Sequence, residues 1–219
     1  MGKNLPFKKS LVDHLTKPSL RLRLSKGQGD KEYSRIGGRP LAPEDFEWPR
    51  KASNFPLQFL CRLNLKETAA FEVSKDLPDF GHLLFFYDAK VQPWGFDPDD
   101  QLGWRVIWSP GDRQLQAAQY PDENFNDELQ PETIKIRFAE ELSYPDPDSR
   151  ECDTLSHLDE QFDLYSEWYA EKANSNPPIH RLFGHPYLHQ GDVWREQCQQ
   201  ASHGIYYGGG KLSGGADDH

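Results

Sequence analysis

The sequence predicts a mainly β fold, on the α+β border, built of roll-like antiparallel sheets with one clear amphipathic helix. Three observations carry this. Apolar and polar residues alternate with a period of two in several short segments, the spacing of a half-buried strand. Glycine and proline, 17 of each in 219 residues, punctuate the intervals between those segments. Only one stretch holds apolar residues at three- and four-residue steps for long enough to make a sizeable helix.

Taken in order, residues 5–16 set Leu5, Leu11, Val12 and Leu15 near one face, predicting a short helix that Pro18 ends. In Ser19–Leu24, Leu20, Leu22 and Leu24 alternate with Arg21 and Arg23, a strand with one solvated face. Residues 25–56 carry Gly27, Gly29, Gly37, Gly38, Pro40, Pro43, Pro49 and Pro56. They read as a long patterned loop held by Ile36, Phe46, Trp48 and Phe55. Strands are expected at Leu57–Leu65, His82–Tyr87 and Trp104–Trp108, with Pro93–Gly103 an acidic, exposed tip. Thr133–Phe138 alternates again, with Ile134, Ile136 and Phe138 on one face. Leu155, Leu158, Phe162, Tyr165 and Tyr169 then predict a helix over Leu155–Lys172, stopped by Asn174–Pro178, its aromatic stripe facing the core. Residues 1–207 read as a single domain, and 208–219, GGGKLSGGADDH, as a flexible Gly-rich tail or loop.

Charge and composition exclude several function classes. The sum of 25 Lys and Arg against 35 Asp and Glu is −10, which repels phosphate backbones and argues against a broad nucleic-acid footprint. The longest plainly apolar run, Leu83–Tyr87, is far short of a membrane span. The N-terminus lacks the apolar run of a secretory signal, and Pro6 stands where a myristoylation motif needs Ser or Thr. Cys61, Cys152 and Cys198 are odd in number and widely spaced, which fits neither a disulfide framework nor a zinc knuckle. A cytoplasmic location is the expectation.

Three groups of segments read together: SRIGGRPLAPEDFEWP (Ser34–Pro49), PLQFLCRLNL with LPDFGHLLFFYD (Pro56–Leu65, Leu77–Asp88), and HRLFGHPYLHQGD with CQQASHGIYYG (His180–Asp192, Cys198–Gly208). In order, spacing and Pro/Gly punctuation the chain resembles the YwqG-like family, a bacterial family of unassigned function. The resemblance implies a mainly β roll with few helices and supplies no catalytic residue, cofactor or substrate. Some relatives look like immunity or partner-binding proteins. The chain departs from the family pattern at Arg62, where a Gln is usual; a cation there is expected to change a local hydrogen bond or to hold an acidic group. The family also usually continues past the CQ…G segment into further strands; the chain is either a shorter member or truncated, and if those strands are absent a sheet edge is left open to dimerisation, a partner strand or aggregation.

Candidate site residues follow from chemistry. Gly37 and Gly38 form neither a Walker loop nor a dinucleotide fingerprint and read as positive-φ turn residues, with a ligand turn as the alternative. Trp48 plugs the loop onto the core or, alternatively, anchors a partner. His180, His185 and His189, with Asp192 and Gln190 close in sequence, are the best metal- or ligand-like cluster, for which zinc or nickel would suit imidazole donors. Cys198 and His203, five residues apart, are a weak nucleophile pair. No catalytic motif and no cofactor signature stands out. The expectation is a non-enzymatic protein-interaction module, immunity-like in one form, that meets a basic partner through an acidic face and exposed aromatics, with homodimerisation open. The alternative is a small-ligand or metal-binding protein, or an enzyme of unknown reaction, using the His180–His203 region.

Overall fold

The computed structural model describes residues 7–25, 33–51, 53–111, 114–121, 133–153, 155, 159–174, 180–188 and 194–206. The chain packs as two compact units, one of residues 1–23 and 138–193 and the other of 24–137 and 194–219. The described pairings are antiparallel, so the mainly β expectation holds.

The larger unit is built on a sheet of β2 (Arg35–Ile36), β4 (Gln58–Asn64), β5 (His82–Tyr87), β6 (Trp104–Ser109) and the start of β8 (Ile134–Ser143). Their order is β6-β5-β4-β2-β8. The expected strands at 57–65, 82–87 and 104–108 are thus present to within a residue or so. β3 (Leu41–Ala42) pairs with β7 (Gln116–Ala117) in a separate ribbon. Alternate residues of β4 and β5 point to one core, where Phe59, Leu84 and Phe86 meet Ala42, Trp48, Leu57 and Ala118. Trp48 and Phe86 meet edge to face, centroids 5.6 Å apart, the arrangement that aromatic quadrupoles favour. A four-residue helix α1 (Leu65–Thr68) follows β4, its first turn capped by the Asn64 side chain.

In the smaller unit the remainder of β8 neighbours β1 (Lys17–Ser25), which pairs with β9 (Arg181–Leu182). α2 (Asp159–Asn174) lays Phe162, Tyr165 and Tyr169 on a cluster with Phe7, Val12, Cys152 and Leu155. The aromatic stripe is core, as its period predicts. Tyr165 is fully buried and its hydroxyl donates to the Pro145 carbonyl. The helix expected over residues 5–16 is corrected. Within its described part only a 3-10 turn, Lys9–Leu11, forms, and Phe7 and Val12 instead pack among the aromatics of α2. A polar helix, α3 (Trp194–Ser202), belongs to the larger unit.

Candidate functional site

A row of exposed apolar side chains lies on one face of β6. Its register with β5 runs from His82↔Ser109 to Tyr87↔Trp104. Directly opposed residues share a face, so Leu84 with Ile107 and Phe86 with Arg105 point to the core side. Tyr87 with Trp104, Phe85 with Val106 and Leu83 with Trp108 point the other way. On that second face Trp104, Val106 and Trp108 are 48%, 45% and 45% exposed. Phe80 extends the row. Its ring meets that of Trp108 at 5.4 Å, and the indole Nε1 donates to the Phe80 carbonyl at 3.3 Å. An indole held at one edge keeps its face outward with little rotamer freedom to lose on binding.

β6 is also the end strand of its sheet order, and among the described residues no strand pairs with its outer edge. A natural edge is ordinarily blunted by Lys, Pro or a bulge. This one carries WRVIW, with Arg105 its one charge. Before it stands an acidic turn. Asp97 caps the 3-10 segment Pro98–Leu102 by accepting from Asp99 N at 2.9 Å, and Asp100 accepts from Gly95 N at 2.9 Å. Asp99, by its charge and its hydrogen bond to the hydroxyl, raises the Tyr206 phenol above its ordinary range. Gln101 ties this turn to α3 by donating to the Ala201 carbonyl.

None of the residues singled out in the sequence lies in this row. Gly37 and Gly38 both take φ of 72°, and Gly37 N donates to Leu60 O at 2.7 Å. They turn the chain out of β2, as positive-φ glycines do. Trp48 is 8% exposed and donates Nε1 to Leu57 O at 2.7 Å; it plugs the core. Arg62 is fully buried on β4, with Nη2 donating to Tyr33 O at 2.6 Å. His180 and His185 belong to the smaller unit and Cys198 and His203 to the larger. The His180 carbonyl accepts from Leu22 N. The buried His185 ring shares a hydrogen bond with Leu15 O at 2.6 Å, and its backbone N donates to Ser143 Oγ. His203 Nδ1 donates to Gln199 O in the last turn of α3. Cys198 is exposed, and partial burial raises its thiol rather than activating it. His189, Gln190 and Asp192 lie outside the described residues. Among the described residues no group of three His, Cys, Asp or Glu is placed to hold a metal.

The β6 row was missed in the sequence for a physical reason. In WRVIW one alternation set, Trp104, Val106 and Trp108, is wholly apolar and the other is Arg105 and Ile107, so period alone turns the tryptophan set toward the core, the reverse of what is found. The usable signal was two tryptophans four residues apart, hence on one strand face, in a segment bounded by an acidic turn and Pro110-Gly111.

Comparison with known families settles the family. A profile described as Domain of unknown function (DUF1963) matches residues 34–206. The chain belongs to the DUF1963 family. The match begins at Ser34, the first residue of the segments that carry the sequence resemblance, and runs into the last of them. It therefore takes in β2 through β9, α1 to α3 and the β6 row of this DUF1963 protein. No curated protein matches the chain.

Proposed function

We propose that this DUF1963 protein is a non-enzymatic docking module that receives a protein partner on β6. The observation that carries the reading is the outward row Trp104, Val106 and Trp108, nearly half exposed, on an end strand whose outer edge no strand pairs with among the described residues. Exposed tryptophans on a rigid strand are the residue type that dominates binding energy at interfaces, and an open edge offers backbone groups to an extended segment. The partner is basic, since the chain carries −10 and Asp97, Asp99 and Asp100 stand beside the strand.

The test is native mass spectrometry on the protein from its own cells, beside a Trp104→Ser/Trp108→Ser variant. The expected result is a stoichiometric protein complex for the native chain and a bare chain for the variant, with unchanged circular dichroism. A complex that survives both substitutions contradicts the reading.

A further inference from the structure

In an antiparallel pair, directly opposed residues either exchange both backbone hydrogen bonds or turn those groups to the far side, and the two kinds alternate along the strands. One bond fixes the phase of the β5–β6 ladder. Asp88 N donates to Gly103 O at 2.8 Å, and these two residues stand next in the register that runs from His82↔Ser109 to Tyr87↔Trp104. The residues of β6 bonded to β5 are therefore Arg105, Ile107 and Ser109. The other side of β5 agrees. Leu65 N donates to Gly81 O at 3.0 Å, which turns Gly81, Leu83 and Phe85 toward β4 and leaves His82, Leu84 and Phe86 for β6. Trp104, Val106 and Trp108 thus aim their N–H and C=O groups at the outer edge, where among the described residues no strand pairs with β6. The same three residues carry the exposed apolar row. Pro110, next in that phase, has no N–H, so the outward donors end at Trp108.

We infer that β6 takes up its partner as an added antiparallel strand: an extended segment whose alternate residues pair with Trp104, Val106 and Trp108 and whose C-terminal end is basic. This rests on the docking role proposed above and names the partner's class. A segment residue opposite Trp104, Val106 or Trp108 exchanges both hydrogen bonds with it and lays its side chain on the tryptophan face. Apolar, β-branched side chains at those alternate positions bury the row. The intervening residues turn their amides away from β6 and their side chains toward the face of Arg105 and Ile107.

Antiparallel pairing is slightly the more stable per residue, and it sets the C-terminal end of the segment beside Trp104. That end continues toward the Pro98–Leu102 turn, which carries Asp97, Asp99 and Asp100. Residues 91–103 contain no Lys or Arg, so the charge met there is wholly negative and favours a cation. A second copy of this chain, at −10, would bring an acidic molecule to an acidic edge and is the poorer occupant.

The experiment is an NMR titration of the full chain with the blocked peptide Val-Thr-Val-Thr-Val-Lys-Lys. Beside it are set the reversed Lys-Lys-Val-Thr-Val-Thr-Val and two N-methylated forms of the first, one methylated at its valines and one at its threonines. In the free protein the amides of Trp104, Val106 and Trp108 should exchange with solvent faster than those of Arg105, Ile107 and Ser109. The first peptide should saturate, shift those outward amides and slow their exchange. Methylation at the valines, whose amides face β6, should weaken binding by about tenfold or more relative to methylation at the threonines. The reversed peptide should bind about threefold to fivefold more weakly. Equal exchange of the two amide sets in the free protein overturns the inference. So do equal binding of the two methylated peptides, a reversed peptide that binds as well or better, and no saturation by the first peptide up to about 10 mM. Self-association that protects Trp104–Ser109 would assign the edge to a second copy and overturn it as well. If Trp104→Ser/Trp108→Ser abolishes the native complex while both methylated peptides bind alike, the docking role stands and the added strand falls.

Discussion

At residue scale, Gly81 and Gly95 make a controlled pair. Both take positive φ, 82° and 86°, which costs an L-residue about 1–2 kcal/mol. A Cβ at Gly95 meets nothing within 4 Å, whereas one at Gly81 meets the Ser109 backbone at 2.5 Å. Gly81→Ala should therefore destabilise by clearly more than Gly95→Ala in denaturant unfolding; equal losses would show that the Gly81 turn is not tightly held. His82 gives a pH prediction. Its ordinary pKa of 6.5 is lowered to about 4 in the fold, by burial first. On acidification the unfolded chain takes up the proton before the folded one does. Stability present above pH 6.5 is then lost as pH falls toward 4. The melting temperature of His82→Gln should fall less across that window than that of the native protein, and parallel curves would count against the shift. Burial also raises the thiols of Cys61 to about 12 and Cys152 to about 11. Alkylation of the native protein should therefore modify the exposed Cys198 first and reach the other two fully only on unfolding.

At the scale of elements, α2 and β6 show what was legible in the sequence and what was not. The three- and four-residue steps of Phe162, Tyr165 and Tyr169 were readable because one strong face suffices to specify a helix on a core. Residues 5–16 carry a similar pattern, yet Phe7 and Val12 find their partners on α2, and tertiary contact overrides the local period. β2, β3, β7 and β9 are two residues each, too short for any alternation to register; pairing with distant segments defines them. α3 has the reverse problem, since the sequence of Trp194–Ser202 is mostly polar. Arg62 was visible as a departure from the family pattern, but its opposition to Arg35, itself opposite Lys135, depends on strand register. The histidine cluster looked chemical in sequence because a turn-rich segment gives no hint that His185 is spent on the Leu15 carbonyl. Within α2, Tyr165→Phe should cost about 1–2 kcal/mol by leaving the buried Pro145 carbonyl without its donor. A change below a few tenths, measured in urea, would mean that the hydroxyl contributes nothing.

At the scale of the whole molecule, net charge governs encounter rather than fold. A chain at −10 draws in a basic partner and repels acidic ones, an effect that decays over a Debye length of about 8 Å at physiological salt. The association rate with the partner should fall as salt rises, with dissociation little changed. A salt-independent rate, read by stopped-flow indole fluorescence, would leave the tryptophan row as the whole basis of recognition. The central claim is that β6 is the docking strand. Hydrogen–deuterium exchange on the partner complex tests it most directly, because among the described residues no strand pairs with the outer edge of Trp104–Ser109. Partner binding should slow exchange in this strand and leave β4 and α2 as they were. Protection confined to other segments, with β6 exchanging as fast as in the free chain, would contradict it.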